Sequence, residues 1–250
     1  MFCILYRLVL ELIHYRICDK RKGVVMFTFN EDNFLYIILS RIWDIVLVNI
    51  LFIVCSIPIV TIGPAFTAMH HVTLRIVKGN NPGTFKTFFR AFKQNFKQSF
   101  IVWLISLVCI VVLLSNIQFL QTITPTSFAS FLYYASYIML IFIIIMNLYI
   151  HPVIAAFEGA LKTQIRNSVI FIFSKLSYAF IMFFVWAFPL SLAYIDTGLQ
   201  PLYAFCWAFF GFATAAYINS TFLYKLFKPY LPEDEDDDIT ADIDFRVPED

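Results

Sequence analysis

From Gln98 to Phe157 the chain runs for 60 residues without one Asp, Glu, Lys or Arg. As helix, at about 1.5 Å per residue, such a run reaches about 90 Å, three times the roughly 30 Å of a bilayer's hydrocarbon core. The polar, proline-bearing stretch Q-T-I-T-P-T-S (Gln121 to Ser127) divides it into Phe100 to Leu120 and Phe128 to Ile150, two spans joined by a short hairpin loop. Leu176 to Ile195 and Leu202 to Phe222 form a second pair, separated by D-T-G-L-Q-P (Asp196 to Pro201). The composition agrees, with 60% hydrophobic and 14% charged residues and a mean hydropathy of +0.78. Soluble domains carry about 45 to 50% apolar and about 25% charged residues, so a water-soluble fold is excluded.

The first apolar region is ambiguous. Ile45 to Leu74 is free of charge over 30 residues, about 45 Å as helix, too long for one crossing and too short for two. Pro58, Gly63 and Pro64 interrupt its middle. With Arg41 and Asp44 at the headgroups, Phe34 to Val77 spans about 66 Å, enough for two helices folded back at P-I-V-T-I-G-P. The competing reading is one span followed by a re-entrant or interfacial helix. Basic residues in short loops stay in the cytoplasm. All 18 bases fall in residues 1–44, 75–97, 154–176 and beyond 222, and the turns at 58–64, 121–127 and 196–201 hold none. This favours an all-α bundle of six spans with both termini cytoplasmic; five spans would put the first six bases outside.

The net charge of +1 conceals two opposed regions. Residues 231–250 carry ten of the 17 acids and one base, leaving 17 bases and seven acids, or +10, in residues 1–230. The bases lie beside apolar spans, so anionic lipid is the expected partner, and no nucleic-acid motif is present. Met26-Phe27-Thr28-Phe29-Asn30 reads as a second start, which makes residues 1–25 a candidate non-native extension; the competing reading is a native amphipathic extension. Met1 to Arg7 lacks the basic region of a secretory signal. The organisation expected is an extension (1–25), a membrane domain (26–230) and a disordered acidic tail (231–250).

Three constellations stand out. In N-N-P-G-T-F-K-T-F-F-R-A-F-K-Q-N-F-K, Phe85, Phe88, Phe89, Phe92 and Phe96 recur at helical spacing on one face, and Lys86, Arg90, Lys93 and Lys97 on another. The pattern predicts a cytoplasmic amphipathic helix that anchors to the membrane surface or docks on a partner subunit. Asn147, His151 and Glu158, at i, i+4 and i+11, are placed along one face of the fourth span. They could line a proton or solute path, or serve as interhelical hydrogen bonds with Glu158 paired to Lys162. The third is the turn itself, where Pro58 and Pro64 lack backbone donors and Gly63 tolerates positive φ, so a sharp reversal or a solute site are both open.

No metal, cofactor or catalytic site is expected. His70 and His71 are adjacent, no His/Cys cluster has tetrahedral spacing, and neither a P-loop nor G-x-S-x-G occurs. The five cysteines include no C-x-x-C pair and read as free thiols. Asp234, Asp236 and Asp238 mimic the start of a calcium loop, but Ile239 and Phe245 stand where its Gly and Glu are needed. With short external loops, an enzyme is not expected.

Asp44 to Met69, F-F-R-A-F-K-Q-N-F-K-Q-S (Phe88 to Ser99) and N-L-Y-I-H-P-V-I-A-A-F-E-G-A-L-K (Asn147 to Lys162) resemble the bacterial YesL family, a domain of unknown function, over roughly Asn30 to Tyr224. S-I-P-I-V-T-I-G-P is its most specific block. The family pattern is matched at Asn49, Pro58, Thr61, Gly63, Pro64, Phe89, Arg90, Phe92, Pro152, Phe157 and Glu158, whereas His151 stands where an apolar residue is expected. The resemblance implies a multi-pass protein of the bacterial cell membrane whose relatives' genes accompany carbohydrate permeases. The function expected is an accessory or assembly subunit for oligosaccharide uptake by an ATP-driven permease; the alternative is an autonomous small-solute transporter.

Overall fold

A computed structural model describes residues 34–79, 83–122, 126–196 and 198–231. The extension and the acidic tail expected from the sequence lie outside these residues. By compactness the chain divides into Met1–Ser40 and Arg41–Asp250. The first unit is described only over the opening turns of one helix; the second holds the rest of that helix and all the other described elements.

The described residues are almost all helical, with no strand among them. Helix α1 is Phe34–Cys55, and a 3-10 turn, Ile59–Thr61, leads into α2, Ile62–Lys78. Then come α3, Thr84–Thr122, and α4, Ser127–Ala156. A short α5, Leu161–Ser174, precedes α6, Leu176–Ile195. Last, α7, Gln200–Cys206, passes through a π-helical turn, Trp207–Gly211, into α8, Phe212–Phe227. Among the described residues four segments are long and apolar enough to cross a membrane: Thr84–Thr122, Ser127–Ala156, Leu176–Ile195 and Gln200–Tyr230. Side chains such as Val108, Val112, Phe131, Ile138, Phe184 and Phe205 stand exposed along them, as a lipid-facing surface requires.

Among the described residues neither helix of the first hairpin is one of the four candidate spans, so six spans are not shown. The hairpin's 17-residue α2 is about 26 Å long, short of a hydrocarbon core. It also packs antiparallel along the charged half of α3. A Cβ at Gly63 would meet the Trp103 side chain and lie 2.7 Å from Ser99 O, and Thr67 Oγ1 is 2.8 Å from Ser99 Oγ. The apolar half of α3 pairs instead with α4, through Asn147 Nδ2 to Ser106 Oγ at 3.0 Å and Asn116 Nδ2 to Ser136 Oγ at 2.8 Å.

Two apolar cores share α8. One joins Val48, Leu51 and Phe52 of α1 with Ala65, Ala68, Met69 and Val72 of α2, Phe88 and Ala91 of α3, and Ala213 and Ala216 of α8. The other joins Tyr149 and Val153 of α4, Phe171 of α5, Met182 of α6, and Leu223 and Phe227 of α8. Alanines in the first let helix backbones approach closely where lipid offers no hydrophobic drive.

Gly63 was expected to supply positive φ at the turn. Among the described residues the positive-φ glycines are Gly79, Gly83 and Gly159; Gly63 sits in the first turn of α2 and is there because α3 lies against it. Gly63→Ala should lower stability by about 1 to 3 kcal/mol through overpacking, measured as thermal unfolding in detergent. Gly198→Ala, whose Cβ meets nothing nearer than 3.5 Å, should leave it nearly unchanged; equal melting of the two variants would refute the close-packing role.

Candidate functional site

The turn residues are held by an internal hydrogen-bond set. Pro58 is extended (φ −74°, ψ 119°) and ends α1's reach. The Thr61 hydroxyl lies 2.6 Å from Cys55 O and 2.8 Å from Pro58 O, meeting carbonyls that the end of α1 leaves open. Trp103 Nε1 donates to Ile59 O at 2.8 Å. Pro64, third residue of α2, lacks a donor where the helix has no acceptor for one. Asn49 does not belong to this turn. It is fully buried and its Nδ2 donates to Trp207 O and Ala208 O at 3.1 and 2.8 Å, while its Oδ1 accepts from Ala213 N at 2.9 Å. One side chain thus serves the backbone groups that the π-helical turn takes out of the regular ladder.

The amphipathic segment is the first half of the 39-residue α3, about 58 Å long, rather than a separate interfacial helix. Its Phe face turns inward only in the middle: Phe88 is buried and Phe89 and Phe92 pack against the first core, while Phe85 is exposed. A ring ladder continues from Phe92 to Phe96 (5.4 Å) and Phe96 to Phe100 (5.7 Å). Lys86, Arg90, Lys93 and Lys97 are all exposed on the other side. Two charged residues of α1 tie down the loop before it. Arg41 donates to Ile76 O and Gly79 O at the C-terminus of α2, and Asp44 Oδ1 accepts from Thr84 Oγ1 at 2.7 Å where α3 begins. Each sign matches the helix end it faces.

The face expected to join Asn147, His151 and Glu158 is broken. Asn147 bonds Ser106 and Ile143 O, and His151 is buried. Glu158 leaves the helix, because Phe157 is extended (φ −126°, ψ 135°), and stands exposed in the loop before α5. Extended backbone at Phe157 and Ala160 removes the helical register on which a Glu158–Lys162 pair depends. Gly159, at φ +150°, permits the turn, and its carbonyl accepts from Gln98 Nε2 at 2.9 Å.

Where α2, α4 and α8 meet, the structure brings together polar residues that sequence reading did not combine. Thr67 Oγ1 lies 3.0 Å from His151 Nδ1, and it also bonds Ser99. His70 Nδ1 lies 3.3 Å from Ser220 Oγ, which is 2.7 Å from Thr73 Oγ1. Thr73 has one hydroxyl hydrogen and Met69 O is 3.0 Å away. Ser220 accepts from a protonated His70 Nδ1 when it donates to Thr73, and donates to a bare Nδ1 when Thr73 donates to it, so the His70 tautomer follows the direction of the hydroxyl chain. The Phe66 ring sits between the imidazoles, 4.7 Å from His70 and 5.5 Å from His151, both edge-on. His70 and His151 Nε2, and both amide atoms of the fully buried Asn219, have no protein hydrogen-bond partner. His70 and Ser220, 150 residues apart, share no local pattern; the only signal in the sequence was the scarcity of such side chains in apolar helices.

Among the described residues no three His, Cys, Asp or Glu side chains are grouped to hold a metal ion, and Cys55, Cys109 and Cys206 are free thiols. Replacing Asn49 by Leu leaves the Ala213 amide without its acceptor, a loss of about 1 to 3 kcal/mol for a buried group. We expect a clear fall in melting temperature and faster hydrogen exchange at Ala213. Asn95→Ala, which removes one bond within a helix turn, should shift stability by no more than about 0.5 kcal/mol.

Residues 45–117 match the family model described as protein of unknown function, DUF624. The matched segment runs from α1 through the turn and α2 to Ile117 of α3. It takes in Asn49, the Gly63–Trp103 contact, Thr67, His70 and the cationic side of α3, and ends before His151 and Asn219. No curated protein and no solved structure matches the chain. The chain is thus a helical membrane protein similar, over residues 45–117, to an uncharacterised domain family.

Proposed function

We propose that the chain is a multi-pass protein of a bacterial cell membrane that acts as an accessory or assembly subunit for oligosaccharide uptake by an ATP-driven permease. The observation that carries this reading is the two-sided first half of α3. Phe88, Phe89 and Phe92 are taken up by the chain's own core, while Lys86, Arg90, Lys93 and Lys97 are exposed on the other side. A cationic row on a helix so fixed is preorganised for an anionic surface, whether a partner subunit or lipid headgroups at about 1 kcal/mol per base. The resemblance to YesL-like proteins supplies the carbohydrate association.

In this reading α3, α4, α6 and the α7–α8 segment cross the membrane and the α1–α2 hairpin inserts from the cytoplasmic side. All 18 bases then remain cytoplasmic, as do both termini, so the orientation is the one that six spans would give.

The test is crosslinking in the native membrane, gentle solubilisation and mass spectrometry. A permease subunit should accompany the chain in stoichiometric amount, and recovery should fall roughly tenfold or more when the four bases are changed to Gln. Unchanged sugar uptake and permease abundance after deletion would sink the proposal. The polar cluster of α2, α4 and α8 favours a second reading, that the chain carries a small solute itself; liposomes holding only this protein would then show flux.

A further inference from the structure

We propose that the cationic row of α3 is a docking surface for the chain's own acidic tail, above all for the run E-D-E-D-D-D at 233–238, and that the docked tail withholds the row from other anionic partners until it is displaced. Withholding has meaning only if the row serves a partner, as proposed for the chain's function, whereas docking is read in the isolated chain with no permease present, so the two can fail separately. Lys86, Arg90, Lys93 and Lys97 are all exposed and form a row about 16 Å long. The described residues supply little to neutralise it, for they hold three acids. Asp44 bonds Thr84, and Asp196 bonds the backbone N–H groups of Gly198 and Leu199 in the turn after α6; Glu158 alone of the three is exposed. Residues 232–250 carry ten of the chain's 17 acids and one base, so the negative charge that complements the row lies in the tail.

The point from which the tail departs is fixed, and it is joined to the row by direct contacts. Leu231 packs against the second core, and its N–H donates to Phe227 O at 3.1 Å. The Phe227 ring lies 5.2 Å from that of Phe157. Two residues past Phe157, Gly159 O accepts from Gln98 Nε2, and Gln98 is the residue after Lys97. The acidic run begins two residues beyond Leu231. Six extended residues cover about 20 Å, enough for the row, and the whole of 232–250 reaches about 60 Å. No other described helix presents more than two exposed bases; the pair on α5 is Lys162 and Arg166. Exposed ion pairs are individually weak and screened by salt. A partner attached to the same chain nevertheless needs little affinity to stay, because its binding is intramolecular. The same weakness lets a stronger anionic partner displace it.

The experiment uses the full chain in nanodiscs of neutral phosphatidylcholine, treated with a carbodiimide that joins a carboxylate to a lysine amine in contact with it. Peptide mapping should find residues 233–238 coupled to Lys86, Lys93 or Lys97, and the coupling should fall roughly fivefold or more in about 1 M salt. Coupling confined to Lys225 and Lys228, which are nearest the tail in sequence, or to Lys162 and Lys175, would overturn the proposal, as would none at all. A second measurement reads the withholding. Changing the six acids to Asn and Gln should tighten the binding of fluorescent polyglutamate, standing in for an anionic partner, by roughly fivefold or more. The gain should vanish when Lys86, Arg90, Lys93 and Lys97 are also changed to Gln, and these variants of exposed residues should melt with the parent. A gain that persists without the four bases would be a general effect of net charge and would equally overturn the proposal.

Discussion

Backbone groups opened inside an apolar structure have no water to turn to, and the whole architecture answers that constraint. A regular helix satisfies its own ladder, so each irregularity here needs a donor or acceptor from elsewhere. Thr61 and Trp103 serve the carbonyls around the first turn, Arg41 serves the end of α2, and Asn49 serves the π-helical turn 158 residues away. These bonds connect α1 to α2, α3 and α8, and they fix the hairpin with more direction than apolar packing alone provides. Removing one also leaves a group unmet, so the penalty falls on the fold before it falls on any activity.

The same logic separates the polar residues into two kinds. Asn49 and Asn116 have partners that account for their burial, and a structural role is sufficient for them. Asn219, one turn of α8 beyond Ala215 and Ala216, is buried as deeply and meets no protein group. Its amide thus lacks the account that hydrogen bonding gives for Asn49 and Asn116, and water is the simplest partner for such a group.

Much of the fold was legible in the sequence because hydrocarbon thickness acts on single segments. The charge-free runs and their polar turns marked out the apolar half of α3, together with α4, α6 and the α7–α8 segment, to within about six residues, and Pro58 marked the break after α1. What was not legible depends on relations between segments. Gly63 looks like a turn glycine until Trp103 is placed against it. The Phe side of residues 85–96 has the periodicity of a lipid-facing stripe, and periodicity cannot say that Phe88, Phe89 and Phe92 pack into a core with α1, α2 and α8 while Phe85 stays exposed. Glu158 fitted a helical face by arithmetic, but Gly159 and the extended Phe157 end the helix first. The π-helical turn carries no periodic signal at all, and it is visible only through the asparagine that completes it.

The depth of the polar cluster bears on what the chain can do. Ser99, which bonds Thr67 and through it His151, lies two residues past Lys97, about 3 Å along α3. If Lys97 marks the headgroups, the cluster sits at one edge of the apolar layer, away from its middle. Carriers that alternate access hold their site near the midplane, where either side can reach it. A site at one edge fills and empties from one compartment. A polar cluster at one edge is therefore poorly placed for the alternating access that the second reading needs, and the accessory reading is the stronger of the two.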